Sequence, residues 1–306
     1  MKILVATDKP FAPVAINGIR EEIEAAGMEL ALLEKYGEKS KLIDAIADAD
    51  GIIFRSDIID AEVLNAAKKL KVAVRAGAGY DNIDLSTATA NGVCVMNTPG
   101  QNSNAVAELV FGMTVMLIRN FYNGSSGTEL KGKKLGIHAY GQVGRNVARV
   151  AKGFGMEVFA FDPYCPAEIM EADGVKPVST VEELYSNCQY VSLHIPATAE
   201  TKKSINYKLL NRMPKNAVLI NTARKEVIDE EELVKIMKDR TDIRYISDIK
   251  PDNAEIFAEK FENRYFFTPK KMGAQTAEAN INAGIAAAKQ SVAFLKDGID
   301  KYRVNK

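Results

Sequence analysis

The 306-residue sequence predicts an α/β fold of doubly wound parallel sheets with helices covering both faces. Two observations carry this expectation. Along most of the chain, short apolar runs of strand length alternate with segments whose apolar residues fall at helical spacing. In addition, residues 131–163 run in the order strand, tight glycine turn, helix, strand and end near an acid, which is the layout of a dinucleotide-binding βαβ half.

In that unit, residues 134–138 read as a buried strand, and Val143, Val147, Val150 and Phe154 then mark one face of a helix. A second strand, 157–161, leads into Asp162. The turn Ala139-Tyr140-Gly141-Gln142-Val143-Gly144 fits G-x-G-x-x-G with alanine in place of the first glycine. Gly141 lets the backbone approach a pyrophosphate, Gly144 lets helix and strand pack closely, and the helix N-terminus supplies unpaired N–H groups to an anion. Asp162 stands where an acid takes the ribose hydroxyls. A carboxylate there repels a 2′-phosphate, so the expected cofactor is NAD rather than NADP.

Taken in order, residues 2–7 form a buried strand, 16–26 a helix stopped by Gly27, 28–33 a strand and 41–49 a helix. The strand 51–54 ends on Arg55-Ser56, and the strand 71–75 runs into Gly77-Ala78-Gly79. Both polar or glycine-rich endings fall at strand carboxyl ends, where open α/β sheets bind ligands. A helix over 81–91 and a strand over 93–96 follow, closed by Asn97-Thr98-Pro99-Gly100. The helix 104–119 is apolar on all sides, which predicts burial between domains or subunits. Beyond Asp162 the pattern repeats, with helices at 180–186, 206–212 and 230–238 and strands at 190–193, 217–221, 245–248 and 265–267. The last long helix, 276–295, is expected to return the chain to its first domain.

Forty basic residues balance forty acidic ones, so no global field favours nucleic acid or an anionic membrane. No run approaches the ~18 apolar residues of a membrane helix, and the N-terminus enters a strand without a signal-peptide layout. A cytoplasmic protein is expected. Cys94, Cys165 and Cys188 are far apart, which suggests free thiols rather than a disulfide framework or a zinc site, and no metal is expected. His138 and His194 are the two histidines, which restricts any acid–base chemistry run by imidazole.

Five stretches resemble, in order, the NAD-dependent D-2-hydroxyacid dehydrogenases, and among them the branch acting on 3-phosphoglycerate. They are LKVAVRAGAGYDNID (70–84), GVCVMNTPGQNSNAVAEL (92–109), the glycine-turn unit, VSLHIPAT (191–198) and VLINTARKEVIDEEEL (218–233). The resemblance implies two Rossmann-like domains with the active site in the cleft between them. The substrate-binding domain would be 1–96 plus 280–306, and the NAD-binding domain 97–279. Arg224 matches the arginine that holds the substrate carboxylate and polarises the carbonyl, a task suited to its planar fork. Gly77, Ala78 and Gly79 match the loop whose N–H groups bind that carboxylate. Arg55, Ser56 and Asn102 fall where a substrate phosphate is bound. Asp248 aligns with the aspartate on the nicotinamide carboxamide, Thr222, Ala223 and Arg224 are expected on the same cofactor side, and Gly273 and Ala274 complete it. His194 and Pro196 match the turn beside the adenosine, and Pro163 and Tyr164 are placed to cover the adenine.

The sequence departs from the family at the catalytic histidine. Its place reads Thr268-Pro269-Lys270-Lys271-Met272-Gly273, with no histidine and one residue extra. Counting from Pro269 puts Lys270 there, and counting back from Gly273 puts Lys271 there. The carboxylate that pairs with the histidine is also missing, with Asp252 near its place and Glu255 further off. The two changes go together, because an imidazolium needs a carboxylate to orient it and a lysine ammonium does not. At its usual pKa of ~10.4 a lysine is a good acid and a poor base. Closure of the cleft, the second lysine and Arg224 are expected to lower it, giving a lysine acid/base in a cluster of positive charge. The alternative is a fixed charge that stabilises the alkoxide while water carries the proton. A short 119–129 region suggests a reduced subunit-contact arm, although the family implies a homodimer. Because the last long helix lies close to residue 306, a regulatory domain is not expected. The resemblance thus implies oxidation of the phosphorylated hydroxy acid 3-phospho-D-glycerate. The alternatives are a glyoxylate or hydroxypyruvate reductase, and a non-catalytic NAD-sensing protein like the corepressors of this superfamily.

Overall fold

A strand buried on both faces needs a helix layer on each, and both sheets of the chain meet that need. The computed structural model describes residues 1–305. They divide into two units, Met1–Asn102 with the segment from Gln275 onward, and Ser103–Ala274.

The first unit runs β1 (Lys2–Thr7), α1 (Pro13–Ala25), β2 (Glu29–Glu34), α2 (Lys39–Ile46), β3 (Gly51–Phe54), α3 (Ala61–Ala66), β4 (Val72–Arg75), α4 (Leu85–Ala90) and β5 (Cys94–Asn97). Among the described residues its strands form a parallel sheet in the order β2-β1-β3-β4-β5. Alternate side chains fill opposite faces. Ile3, Val5, Ile53, Val72 and Val74 pack with Ile19 and Ile23 of α1, whereas Leu4, Ala6, Ile52, Phe54 and Ala73 pack with Leu42 and Ile46 of α2 and Val63 of α3. The chain's last long helix packs beside α1, where a Cβ on Gly18 would lie 2.7 Å from Ile285 and one on Gly284 2.9 Å from Ile19. Two features differ from the sequence reading. α3 is too short to show a period, and α4 begins four residues later than expected because Asp84 caps it, accepting the Thr87 N–H at 3.0 Å. At the edge of β5, Asn305 stands in for a further strand, accepting the Val95 N–H and donating to Val93 O, each at 2.8 Å.

The second unit runs α5 (Ser103–Ile118), β6 (Lys134–His138), α6 (Gln142–Gly153), β7 (Glu157–Phe161), α7 (Ala167–Ala172), β8 (Lys176–Pro177), α8 (Val181–Asn187) and β9 (Tyr190–Leu193). It continues with α9 (Tyr207–Leu210), β10 (Val218–Asn221), α10 (Glu230–Asp239), β11 (Arg244–Ser247), α11 (Ala254–Lys260) and β12 (Tyr265–Phe267). Helix α12 (Ala277–Asp297), the long helix beside α1, then belongs to the first unit. Among the described residues the strands of the second unit form a parallel sheet in the order β12-β11-β10-β9-β6-β7-β8. The chain leaves β6 toward β7 on one side and returns to β9 on the other, so the turn after β6 sits at the switch point where such sheets bind nucleotides. Helix α5 is apolar all round because α6 packs along it, its Phe111 stacks on Phe154 at 5.0 Å, and its Ala107, Val110 and Leu117 enter the core with Ile137 and Ile220. The short α7, β8 and α11 carry no periodic signal and were not expected. Cys94 and Cys188 are buried and Cys165 is half-buried, all as free thiols.

Candidate active site

The turn after β6 shows why its glycines stand where they do. Ala139, at the position of the missing first glycine, adopts φ +80°, a region that disfavours a side chain. Relief of that strain, roughly 1–2 kcal/mol, exceeds the roughly 0.5–1 kcal/mol of extra backbone entropy that a glycine loses on folding. Ala139→Gly is therefore expected to stabilise the protein by about 0.5–1 kcal/mol in denaturant unfolding. Gly144 has no room for a side chain, since a Cβ there would lie 2.4 Å from Ala139 O. Gly141 is different. It caps α6, and a Cβ on it would enter open space. Gly141→Ala is therefore expected to leave the melting temperature unchanged while weakening NADH binding about tenfold or more, because only a ligand's approach needs that space. Equal NADH affinity by titration would remove the turn from the cofactor site.

Asp162 is held by the turn itself. Its Oδ2 accepts the Tyr140 N–H at 2.7 Å and its Oδ1 the Tyr164 N–H at 2.8 Å. The Tyr140 ring is turned inward, with its hydroxyl donating to Asp173 at 3.1 Å, so Tyr140 faces a ligand with backbone only. Gln142 is exposed and Val143 half-buried in the first turn of α6, while Pro163 and Tyr164 are exposed beyond Asp162, Tyr164 at 95%. His194 stands 2.9 Å from the Ser192 hydroxyl, followed by exposed Pro196. Burial holds His138 at a pKa of about 4, against the pull of Asp162, and burial together with His138 holds His194 at about 3. Both imidazoles are neutral at physiological pH, which suits packing and hydrogen bonding rather than charge.

The carboxyl end of β10 brings two cations together. Buried Asn221 stitches the turn, accepting the Ala223 N–H at 2.9 Å and donating to Arg224 O at 3.0 Å. Arg224 Nη1 then donates to Ala223 O at 3.0 Å, and Lys271 Nζ donates to the same oxygen at 3.2 Å. Both candidate lysines are exposed on the turn beyond Pro269, and Lys271 is the one whose Nζ stands with Arg224 on this oxygen. Asp252 is placed elsewhere. It pairs with Lys225 at 2.6 Å, and its N–H is held by Glu230 at the start of α10, so this geometry gives it to Lys225 rather than to the lysine turn. Asp248 is buried and holds that turn through Met272 and Gly273, with half-buried Ala274 following. Thr222 is 6% exposed, and its hydroxyl has no hydrogen-bond partner among the described residues. A buried hydroxyl left unpaired is costly, and the amide of a nicotinamide would satisfy it. With the space at Gly141 and the acid at 162, these residues fit NAD.

In the first unit, Arg55 and Ser56 lie in the bend that follows β3 and meet different neighbours. Arg55 donates to Asn280 of α12 at 2.7 Å and lies over the Phe11 ring. Ser56 lines a cavity of about 360 Å³ with Asp8, Tyr36 and Asp57. What accompanies Arg55 is Arg75, which the sequence reading missed. Its Nε donates to Arg55 O at 3.0 Å, and its guanidinium lies so close over Gly77 that a Cβ there would be 2.3 Å from Nη1. The signal was present, because an arginine closes the apolar strand just before the glycine loop. That loop is tied down by the Thr98 N–H on Gly77 O at 3.0 Å and Asn97 on Ala78 O at 2.6 Å, leading to half-buried Gly79. Asn102 is half-buried just before α5.

A glycine turn at the switch point of a parallel sheet, with an acid closing the next strand, defines a Rossmann dinucleotide-binding domain. Comparison with known proteins narrows the class. The profile of the D-isomer specific 2-hydroxyacid dehydrogenase NAD binding domain matches residues 105–258. The NAD+-bound crystal structure of 3-phosphoglycerate dehydrogenase from Entamoeba histolytica is similar at a TM-score of 0.87 and 48% identity, covering 100% of this chain and 99% of that one. D-3-phosphoglycerate dehydrogenase of Methanocaldococcus jannaschii is 33% identical over 90% of this chain and 57% of that protein. Glyoxylate reductase of Thermococcus litoralis is 31% identical over 95% of this chain and 94% of that protein. The chain thus spans little more than half the length of the curated phosphoglycerate dehydrogenases that it matches. It belongs to the D-isomer specific 2-hydroxyacid dehydrogenase family, and NAD is its cofactor.

Proposed function

We propose that the protein oxidises 3-phospho-D-glycerate to 3-phosphohydroxypyruvate, the opening step of serine synthesis. The observation that carries this reading is the shared carbonyl of Ala223, which holds Arg224 and Lys271 side by side. Bound NAD supplies the hydride acceptor, and the turn after β6, Asp162 and Thr222 are the groups that would hold it. Arg224 grips the substrate carboxylate with its fork and draws electron density from the C2 oxygen. Lys271 Nζ takes the hydroxyl proton in oxidation and returns it in reduction, a role the two neutral histidines are not placed to fill. The first unit offers Arg55 and Arg75, from neighbouring strands, to the phosphate dianion, and the N–H groups of residues 77–79 to the carboxylate.

The match to nearly the whole length of a glyoxylate reductase favours, as a second reading, reduction of small unphosphorylated keto acids. NADH oxidation with 3-phosphohydroxypyruvate, glyoxylate, hydroxypyruvate and 2-oxoglutarate separates the two. The phosphorylated acid is expected to have the highest kcat/KM, and Arg55→Ala should cut that value about 100-fold while changing glyoxylate reduction less than about threefold. Equal losses on both substrates would transfer the assignment to the general reductase.

A further inference from the structure

Asp248 follows β11 directly and is fully buried. The described residues set three donors against its carboxylate, all from one turn. Oδ1 accepts the Thr268 hydroxyl at 3.0 Å and the Met272 N–H at 2.7 Å, and Oδ2 accepts the Gly273 N–H at 2.7 Å. A Cβ on Gly273 would lie 2.9 Å from Oδ2, so glycine is what lets the backbone close on the carboxylate. A buried carboxylate is costly unless charge-assisted hydrogen bonds compensate it, and here the compensating bonds run to the two ends of the turn. The residues between those ends, Pro269, Lys270 and Lys271, are looped outward, and Lys271 Nζ comes to rest on Ala223 O. Asp248 N–H also donates to Asn221 O at 2.9 Å, which ties the clamp to the turn that carries Arg224.

We propose that Asp248 is a positioning residue for Lys271: its carboxylate clamps the 268–273 turn and sets where the ammonium stands relative to Arg224. This rests on the reading of Lys271 as the proton carrier. It adds to the role implied by resemblance, a contact to the nicotinamide carboxamide, because Oδ2 accepts one N–H from the turn and keeps a second acceptor site. A carboxylate suits the task better than an amide, since every group facing it is a donor and an amide would set NH2 against N–H. A shift of the turn by about 1 Å would be enough to cost up to about 100-fold in rate.

The test is a double-mutant cycle on the full chain, read as kcat for keto-acid reduction and as the dissociation constant for NADH. Asp248→Asn is expected to lower kcat at saturating NADH about 10- to 100-fold, and to cause no further loss in the Lys271→Ala background. Thr268→Val removes one of the three bonds and serves if Asp248→Asn does not fold. Its expected loss in kcat is about 3- to 10-fold, again absent when Lys271 is alanine. Additive losses, or a tenfold loss of NADH affinity with kcat retained, would overturn the clamp alone. Full turnover in Lys271→Ala would overturn the clamp and the proton-carrier reading together.

Discussion

Replacing Lys271 with alanine is expected to lower kcat for keto-acid reduction by about 10²- to 10³-fold, whereas Lys270→Ala changes it less than about twofold. The two residues are neighbours of the same type, so charge alone predicts similar effects. Both are exposed, and geometry separates them: it is Lys271 whose Nζ reaches the carbonyl that also holds Arg224, at 3.2 Å. A proton carrier must stand within hydrogen-bond reach of the oxygen it serves, and on the proposed function Arg224 fixes where that oxygen lies. Lys271→Arg sharpens the result. It keeps the positive charge but gives up a titratable amine, so it should recover little activity if Lys271 moves a proton and much of it if the side chain acts only as a fixed charge. Steady-state kinetics on the three variants decides, and equal losses at 270 and 271 would remove the distinction drawn here.

Arg224→Lys is the second large effect, an expected fall of about 10²- to 10³-fold in kcat/KM. The guanidinium is a flat fork that meets a carboxylate with two parallel bonds, and an ammonium meets it as a point charge. The substitution also strikes the support of the site. Arg224 Nη1 shares Ala223 O with Lys271, and Asn221 holds the Arg224 backbone, so the arginine is set in place before substrate arrives. On the proposed reading the side chain grips the substrate, so NADH affinity should stay within about threefold. A loss confined to NADH binding, with turnover at saturating cofactor intact, would place Arg224 in the cofactor site alone.

Much of this architecture is legible in the chain itself. The strands at 134–138, 157–161, 190–193 and 265–267 have the bounds their apolar runs suggest, because a short apolar run is a local pattern. Elements that escaped notice, α3, α7, β8 and α11, are two to seven residues long, too short for a period to show. The helix expected over 81–91 shows the limit from the other side, since its start depends on which of Asp81 and Asp84 caps it, and both are plausible in sequence. In the same way, Arg55 and Ser56 look like one phosphate site when read along the chain, and the bend after β3 gives them different neighbours, Asn280 and Phe11 for Arg55 and the cavity beside Tyr36 for Ser56.

What the sequence by itself determined is the α/β class, the glycine turn with its acid, and the stretches that place the chain in its family, since each depends on residues close together along the chain. It also showed that a lysine pair occupies the histidine's place. Only the tertiary structure decided which lysine stands beside Arg224, that Asp252 belongs to Lys225, and that Arg75 lies beside Arg55. The reason is physical: an inserted residue leaves register ambiguous along the chain, and the ambiguity is removed by hydrogen bonds to the carboxylate of Asp248, twenty or more residues upstream, which pin both ends of the turn.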